Sequence, residues 1–398
     1  MRKYWRLFAL LSPFISPGMG HAETMTPLKL TLSEALLTDS NLFRLPAGVD
    51  LQPLIGKPSA SDTIKITTVG FGFSKALSLQ QLDLNVSLVD YKYSKFDYLN
   101  ATSLNYNADL HWSATPWLHG ELSTSNTETA NNFANYRVLN LKNIQKRKLN
   151  KFSSFYDLNS RVSLFATLDQ NSLTNDQRQI GLTDYTTNGK EFGLRYAIPS
   201  GSSISYAFKR ADGQYLNTSN LSNSSFNQTD NAVRAHWEIS SKARADFSAA
   251  YINRSQANNP SRNFSGVNSS ANLSWDLTGK TSMEFSWLRD LYGYQTTSAS
   301  SASDINYSTN SRISFGPVWK ISPKLVANLR YVATKVDFQS SSAVQRTDNL
   351  RDTSLSLQWL PTQRISVTAS LQRSKRSSDL AFYNFNSNMA SLSAQYSF

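Results

Sequence analysis

The sequence predicts an all-β fold, a transmembrane antiparallel up-and-down β-barrel of about eighteen strands, with sixteen possible. Three observations carry this. Apolar and small polar residues alternate with period two along most of the chain, which sets them on opposite faces of a sheet. Short turns and longer polar loops alternate strictly, as expected when turns lie on one side of a membrane and loops on the other. Trp and Tyr recur near the short-turn ends, where a membrane–water girdle would place them.

The C-terminal segment shows the period best. Leu392, Ala394, Tyr396 and Phe398 alternate with Ser391, Ser393, Gln395 and Ser397. Phe398 is the expected barrel-closing residue. Leu355, Leu357 and Trp359 lead through Pro361-Thr362-Gln363 to Ile365, Val367, Ala369 and Leu371. The same phrase recurs upstream around the turns Ser322-Pro323-Lys324, Thr278-Gly279-Lys280, Ser240 to Lys242, Pro199-Ser200-Gly201 and Thr115-Pro116. Counting Leu28 to Leu36 as the first segment gives eighteen strands, and both termini fall on the periplasmic side. Sixteen results if that segment, or the one around Phe152 to Leu158, lies outside the wall. The longest outer loops are expected at about 39–61 and 127–150, and either could fold inward. A soluble β-sandwich or β-helix is the alternative, and the strict turn–loop alternation counts against it.

Residues 1–22 read as a signal peptide and 23–398 as the barrel. Arg2, Lys3 and Arg6 precede an apolar run from Leu7 to Ile15, and Gly20-His21-Ala22 offers small residues for cleavage. The run is too short to span a bilayer, which takes roughly 20 apolar residues. The chain has no cysteine, so neither disulfides nor thiolates contribute. The formal charge is +12. Nucleic acid is excluded as a partner by export. Outer-membrane lipids, lipopolysaccharide or an acidic polymer fit the basic excess better. The expected location is the outer membrane of a Gram-negative bacterium.

Period two assigns a lumen-facing set of both signs: Asp83, Asp109, His111, Glu121, Glu191, Arg195, Lys209, Arg234, Glu238, Arg244, Asp246, Asp276, Glu284 and Arg330. A wall of these charges among Ser and Asn groups suits a hydrated solute, and pairing across neighbouring strands is the plainer account of each single charge. The basic excess is expected in loops and turns, at Lys142, Lys146, Arg147 and Lys148 and over Arg373 to Arg376. His111 and Ser113 share the spacing of some lipases but face the lumen, with no base or orienting group evident. His119 with Glu121, and His236 with Glu238, offer two ligands each and no third. No enzyme activity, metal or cofactor is expected.

The segment Asp39-Ser40-Asn41-Leu42-Phe43-Arg44-Leu45-Pro46, followed by Ser61-Asp62-Thr63-Ile64, resembles the opening of EpsL-type proteins. So do Ala114-Thr115-Pro116 with Thr127-Glu128-Thr129, and Leu194-Arg195-Tyr196 through Ser200-Gly201 to Arg210-Ala211-Asp212-Gly213-Gln214-Tyr215. These are outer-membrane β-barrels of exopolysaccharide biosynthesis, linked with exosortase systems. The resemblance implies a polysaccharide substrate and periplasmic export components as partners, and carries over no catalytic residue. The expected role is passive export of an extracellular polysaccharide through a hydrated conduit. A surface anchor for polysaccharide, a general diffusion porin and a lipid-modifying enzyme are the rivals.

Overall fold

The computed structural model describes residues 28–130, 133–134, 141–177, 184–216, 225–257, 260–293, 305–340 and 345–398. The expected signal peptide lies outside them. The wall begins with β1 (Leu28–Asp39), β2 (Asp62–Leu77), β3 (Gln80–Tyr93), β4 (Ala101–Thr115), β5 (Leu118–Ala130) and β6 (Ile144–Asp157). It continues through β7 (Val162–Asn175), β8 (Tyr185–Ala197), β9 (Ser203–Tyr215), β10 (Ser225–Ser240), β11 (Ala243–Ser255) and β12 (Phe264–Asp276). It closes with β13 (Thr281–Gly293), β14 (Ile305–Ser322), β15 (Leu325–Ser340), β16 (Arg346–Trp359), β17 (Ile365–Ser378) and β18 (Phe385–Ser397).

Each strand pairs antiparallel with the next, and β1 pairs with β18 from Thr31↔Ser397 to Asp39↔Met389. The sheet is therefore one closed, 18-stranded up-and-down barrel. Phe398 follows β18, and its backbone N–H reaches the Leu30 carbonyl at 2.9 Å, adding a last rung to that seam. No helix among the described residues is long and apolar enough to cross a membrane.

One face of every strand is set by the alternation. Leu355, Leu357 and Trp359, and Leu371 and Leu392 beside them, are exposed on the outside. Trp237, Trp275, Trp319, Trp359, Tyr196 and Tyr156 crowd the short-turn end of that face. These turns are tight: Pro199-Ser200-Gly201 closes with Gly201 at φ 91°, a conformation that costs glycine nothing. Strands run from 12 residues in β1 to 18 in β14, longer than the roughly 9–11 that cross hydrocarbon. Their ends toward the long loops therefore stand clear of the apolar belt.

That overshoot corrects the loop expected at 127–150. β5 runs to Ala130 and β6 starts at Ile144, so 127–130 and 144–150 of that stretch are wall. Above the belt both faces are wet, and outward Glu128, Lys146 and Lys148 erase the hydropathy alternation that marks a strand lower down. For the same reason Lys146, Arg147 and Lys148, expected in a loop, lie in β6, and Arg373 to Arg376 lie in β17. The stretch expected as the other long loop, about 39–61, has residues 40–61 between β1 and β2.

The assignment of faces predicts opposite costs at adjacent positions. Leu392→Arg, in the outward belt, should destabilise the barrel by about 2–4 kcal/mol. Ser393→Arg, facing inward, should stay within about 1 kcal/mol of wild type. Reversible urea unfolding in lipid vesicles reads both.

Candidate functional site

The inward face is polar because water, and not a packed core, faces it. Cross-strand register places every residue of the expected lumen set on this face. Near the short-turn end, Asp83 accepts from Ser74 at 2.5 Å and Gln81 at 2.9 Å. Asp109 lies opposite Asp83 and accepts from Asn107 at 2.5 Å. His111 sits in register between Gln81 and Glu121. Arg195 lies between Ser163 and Ser205, and Arg244 between Glu238 and Ser274. Asp276 faces Ser282, Glu284 faces Ser274, and the Arg330 guanidinium reaches Ser314 Oγ at 3.3 Å.

Several charges close onto one another. Arg234 holds Glu191 through two contacts of 3.1 and 2.7 Å, and Lys209 holds Asp169 at 2.5 Å. Both pairs skip a strand, from β10 to β8 and from β9 to β7. Gly189 lies beneath the second pair, where a Cβ would meet both the Lys209 and the Asp169 side chains at 2.6 Å. The bare backbone there lets the two longer side chains meet. His236 joins Asp246 at 2.6 Å and Glu238 at 3.0 Å, and His119 joins Asp157 at 3.1 Å. Asp169 and Asp157 lie outside the expected set; the partner of Asp169 is two strands away, and that of Asp157 is on the adjacent strand. Among the described residues no three metal-ligating side chains gather in a metal-binding group. Ser113 Oγ donates to the Thr115 carbonyl at 3.0 Å, so its hydroxyl is turned toward the strand end.

The 40–61 loop folds into the lumen. Phe43, Leu45, Leu42 and Ala60 are buried against Leu37, Ile64, Ile66, Val89, Tyr93 and Met389, the inward residues of β1, β2, β3 and β18. Phe43 meets Phe96 edge-on at 4.7 Å and Phe133 at 4.8 Å. The polar frame around this cluster comes from the ends of β1 and β2. Asp39, buried, binds Arg44 Nη1 at 2.7 Å, the Asn41 N–H at 2.9 Å and Ser387 Oγ at 2.6 Å. Arg44 adopts a left-handed φ of 55°, uncommon for a side-chain-bearing residue, and also bonds the Asn41 carbonyl. Asn41 bonds Leu45 through both its side-chain amide and its carbonyl, at 2.8 and 3.0 Å. Asp62, directly opposite Asp39, accepts the N–H groups of Lys95 and Phe96 at 3.0 and 3.2 Å. Asp39, Asn41, Arg44 and Ser387 thus hold an apolar loop against one side of an otherwise hydrated wall, and Asp62 ties down the adjoining 95–96 turn.

Toward the outer end the inward face turns aromatic and arginine-rich. Arg254 lies over Phe226 at 4.1 Å and Phe264 at 5.2 Å, fixed by Gln228 at 2.9 and 2.7 Å. Arg346 lies over Tyr383 at 3.4 Å and pairs with buried Asp348, which also meets Arg376 at 3.6 Å. None of these residues belonged to the expected lumen set, and Arg376 was expected in a basic loop or turn. The outer basic candidates are divided: Lys142 donates to the Asn100 carbonyl at 3.1 Å, and Lys146 lies 3.7 Å from Glu128. Arg147 faces inward beside Thr127 and Leu173, and Lys148 faces outward.

Comparison with known proteins agrees with this architecture. Residues 215–398 match a family model described as "Putative beta-barrel porin 2". No curated protein matches the chain. Among solved structures it is similar to OpdK of Pseudomonas aeruginosa, in a crystal structure with vanillate, at 10% identity and a TM-score of 0.52, covering 93% of this chain and 99% of that one. OpdO of Pseudomonas aeruginosa is 12% identical with a TM-score of 0.51 over 93% and 96% of the two chains. OccK9 (OpdG) of the same organism is 12% identical with a TM-score of 0.51 over 93% and 98%. The likeness is one of fold, and the fold is that of a porin-like outer-membrane β-barrel.

Proposed function

We propose that the protein is a non-enzymatic, porin-like conduit in the outer membrane of a Gram-negative bacterium, and that its cargo is an extracellular polysaccharide. The observation that carries the reading is the chemistry of the inward face from β4 to β16: closed ion pairs, hydroxyls and amides, with the apolar loop confined to the side of β18, β1, β2 and β3. A sugar chain exchanges hydrogen bonds with such a wall at a net of about 0.5–1.5 kcal/mol each, weak enough to slide. Near the outer end the Arg254 guanidinium, stacked on buried Phe226, adds a partly exposed donor for sugar hydroxyls. The polysaccharide class comes from the resemblance to EpsL-type proteins. Its first motif supplies Asp39, Asn41 and Arg44, which fix the inward loop, and Asp62, which fixes the 95–96 turn packed beside it. A periplasmic export component would then feed the short-turn end.

A second reading, diffusion of small hydrated solutes, is favoured by the likeness to porins and by the loop that narrows one side of the lumen. Single-channel recording of the full chain in planar bilayers separates the two. The conduit reading expects stable conductance that the cognate polysaccharide reduces reversibly and its monosaccharide does not. Equal effects of polymer and monosaccharide favour small-solute diffusion, and absence of conductance removes both.

The loop gives a second expectation. Replacing residues 41–60 by a short Gly/Ser linker should raise unitary conductance while the barrel still migrates as folded without heating. Arg44→Ala removes a charge-assisted bond worth about 1–3 kcal/mol, so protease cleavage within 47–58 should accelerate roughly ten- to a hundredfold.

A further inference from the structure

The outer face of β16 and β17 changes character abruptly above the apolar belt. On β17, Ile365, Val367, Ala369 and Leu371 are followed on the same face by Arg373 and Lys375. On β16, Trp359, Leu357 and Leu355 give way to Thr353 and Arg351. Arg373 therefore stands about 7 Å along the strand from Leu371, at the height where hydrocarbon ends. Arg351, Arg373 and Lys375 are all exposed.

The arrangement is unfavourable as it stands. Arg351 lies directly opposite Lys375, and Arg373 lies opposite Thr353 in the row below. Like charges directly opposite one another on a sheet destabilise it. None of the ion pairs among the described residues includes Arg351, Arg373 or Lys375. Elsewhere on the upper outer wall several cations are matched: Lys65 with Glu34 at 3.1 Å, Lys92 with Asp90 at 3.7 Å, and Arg210 with Asp212 at 3.7 Å. The neighbouring outward residues in register are amides, Asn386 beside Lys375 and Asn388 beside Arg373, and Lys335 on β15 lies opposite Asn349.

We propose that Arg351, Arg373 and Lys375 form a binding site for the phosphate groups of a phosphorylated glycolipid in the outer leaflet. A phosphate between Arg351 and Lys375 converts a repulsive pair into a bridged one, and the arginine fork can take two of its oxygens. Asn386 and Asn388 meet the sugar hydroxyls. Leu355, Leu371 and Leu392 below accept the acyl chains. The site lies on the outside of the wall and does not depend on what passes through the lumen.

The test uses the full chain in zwitterionic detergent with bis-phosphorylated lipid A as probe, read by native mass spectrometry and thermophoresis. Wild type should bind it at least tenfold more tightly than the triple variant Arg351→Gln, Arg373→Gln, Lys375→Gln. Dephosphorylated lipid A should bind both alike. Arg351→Glu serves as the check on folding: without glycolipid its melting temperature should equal or exceed that of wild type, because the repulsion is relieved, while lipid A binding falls at least tenfold. Equal binding by wild type and triple variant, or equally effective competition by phosphatidylglycerol or inorganic phosphate, would overturn the proposal. A destabilised Arg351→Glu variant that keeps full lipid A affinity would do so as well.

Discussion

The ladder between β1 and β18 is the interaction on which the rest of the structure depends. A strand edge in hydrocarbon leaves backbone N–H and C=O groups unsatisfied at several kcal/mol each, and only closure removes the edge. The nine-pair register from Thr31↔Ser397 to Asp39↔Met389 achieves it. Once the ring is closed, stability no longer requires a packed interior. The outer face must be apolar over the belt, and the inner face is released to carry charge. The polar lumen and the apolar exterior are thus two consequences of one hydrogen-bonding requirement.

Closure also sets how far each face is constrained along its length. Over the belt, Leu371 and Leu392 admit only apolar replacements. Above it the outward positions are wet, and the chain places Lys65, Glu128, Lys146, Arg351 and Arg373 there. The upper wall is therefore a second surface, built on the same strands but facing headgroups and solvent. The lumen has its own division. Carboxylates and basic groups closed into pairs line the short-turn end, and arginines stacked on Phe226, Phe264 and Tyr383 line the outer end. One side holds the apolar 40–61 loop. A solute entering from the short-turn side would meet paired charges first and ring-stacked arginines last.

Much of this was legible in the sequence wherever period two survives. The strand count, the turn positions and the inward parity of residues such as Glu191, Arg234 and Asp246 follow directly from alternation, since a side chain in a strand has only two directions available. The alternation fails where both faces are wet, and there β5 and β6 read as loop although Thr127 to Ala130 and Ile144 to Asn150 are paired wall. Pairing by sequence neighbours also missed Asp169, whose partner Lys209 lies two strands away over Gly189. The inward course of the 40–61 loop was open, because Phe43 and Leu45 carry no period and their burial is decided by Asp39, Arg44 and Ser387 meeting across more than 340 residues of chain.

The most direct test of the account uses the absence of cysteine from the chain. A single cysteine replacing each residue from Val367 to Lys375 in turn, spin-labelled and reconstituted in bilayers, reports contact with dissolved oxygen in lipid and with a nickel chelate in water. The account predicts oxygen contact at 367, 369 and 371, nickel contact at 368, 370 and 372, and a switch of the outer face to nickel at 373 and 375. A profile without period two, or nickel contact at all of 367, 369 and 371, would contradict it.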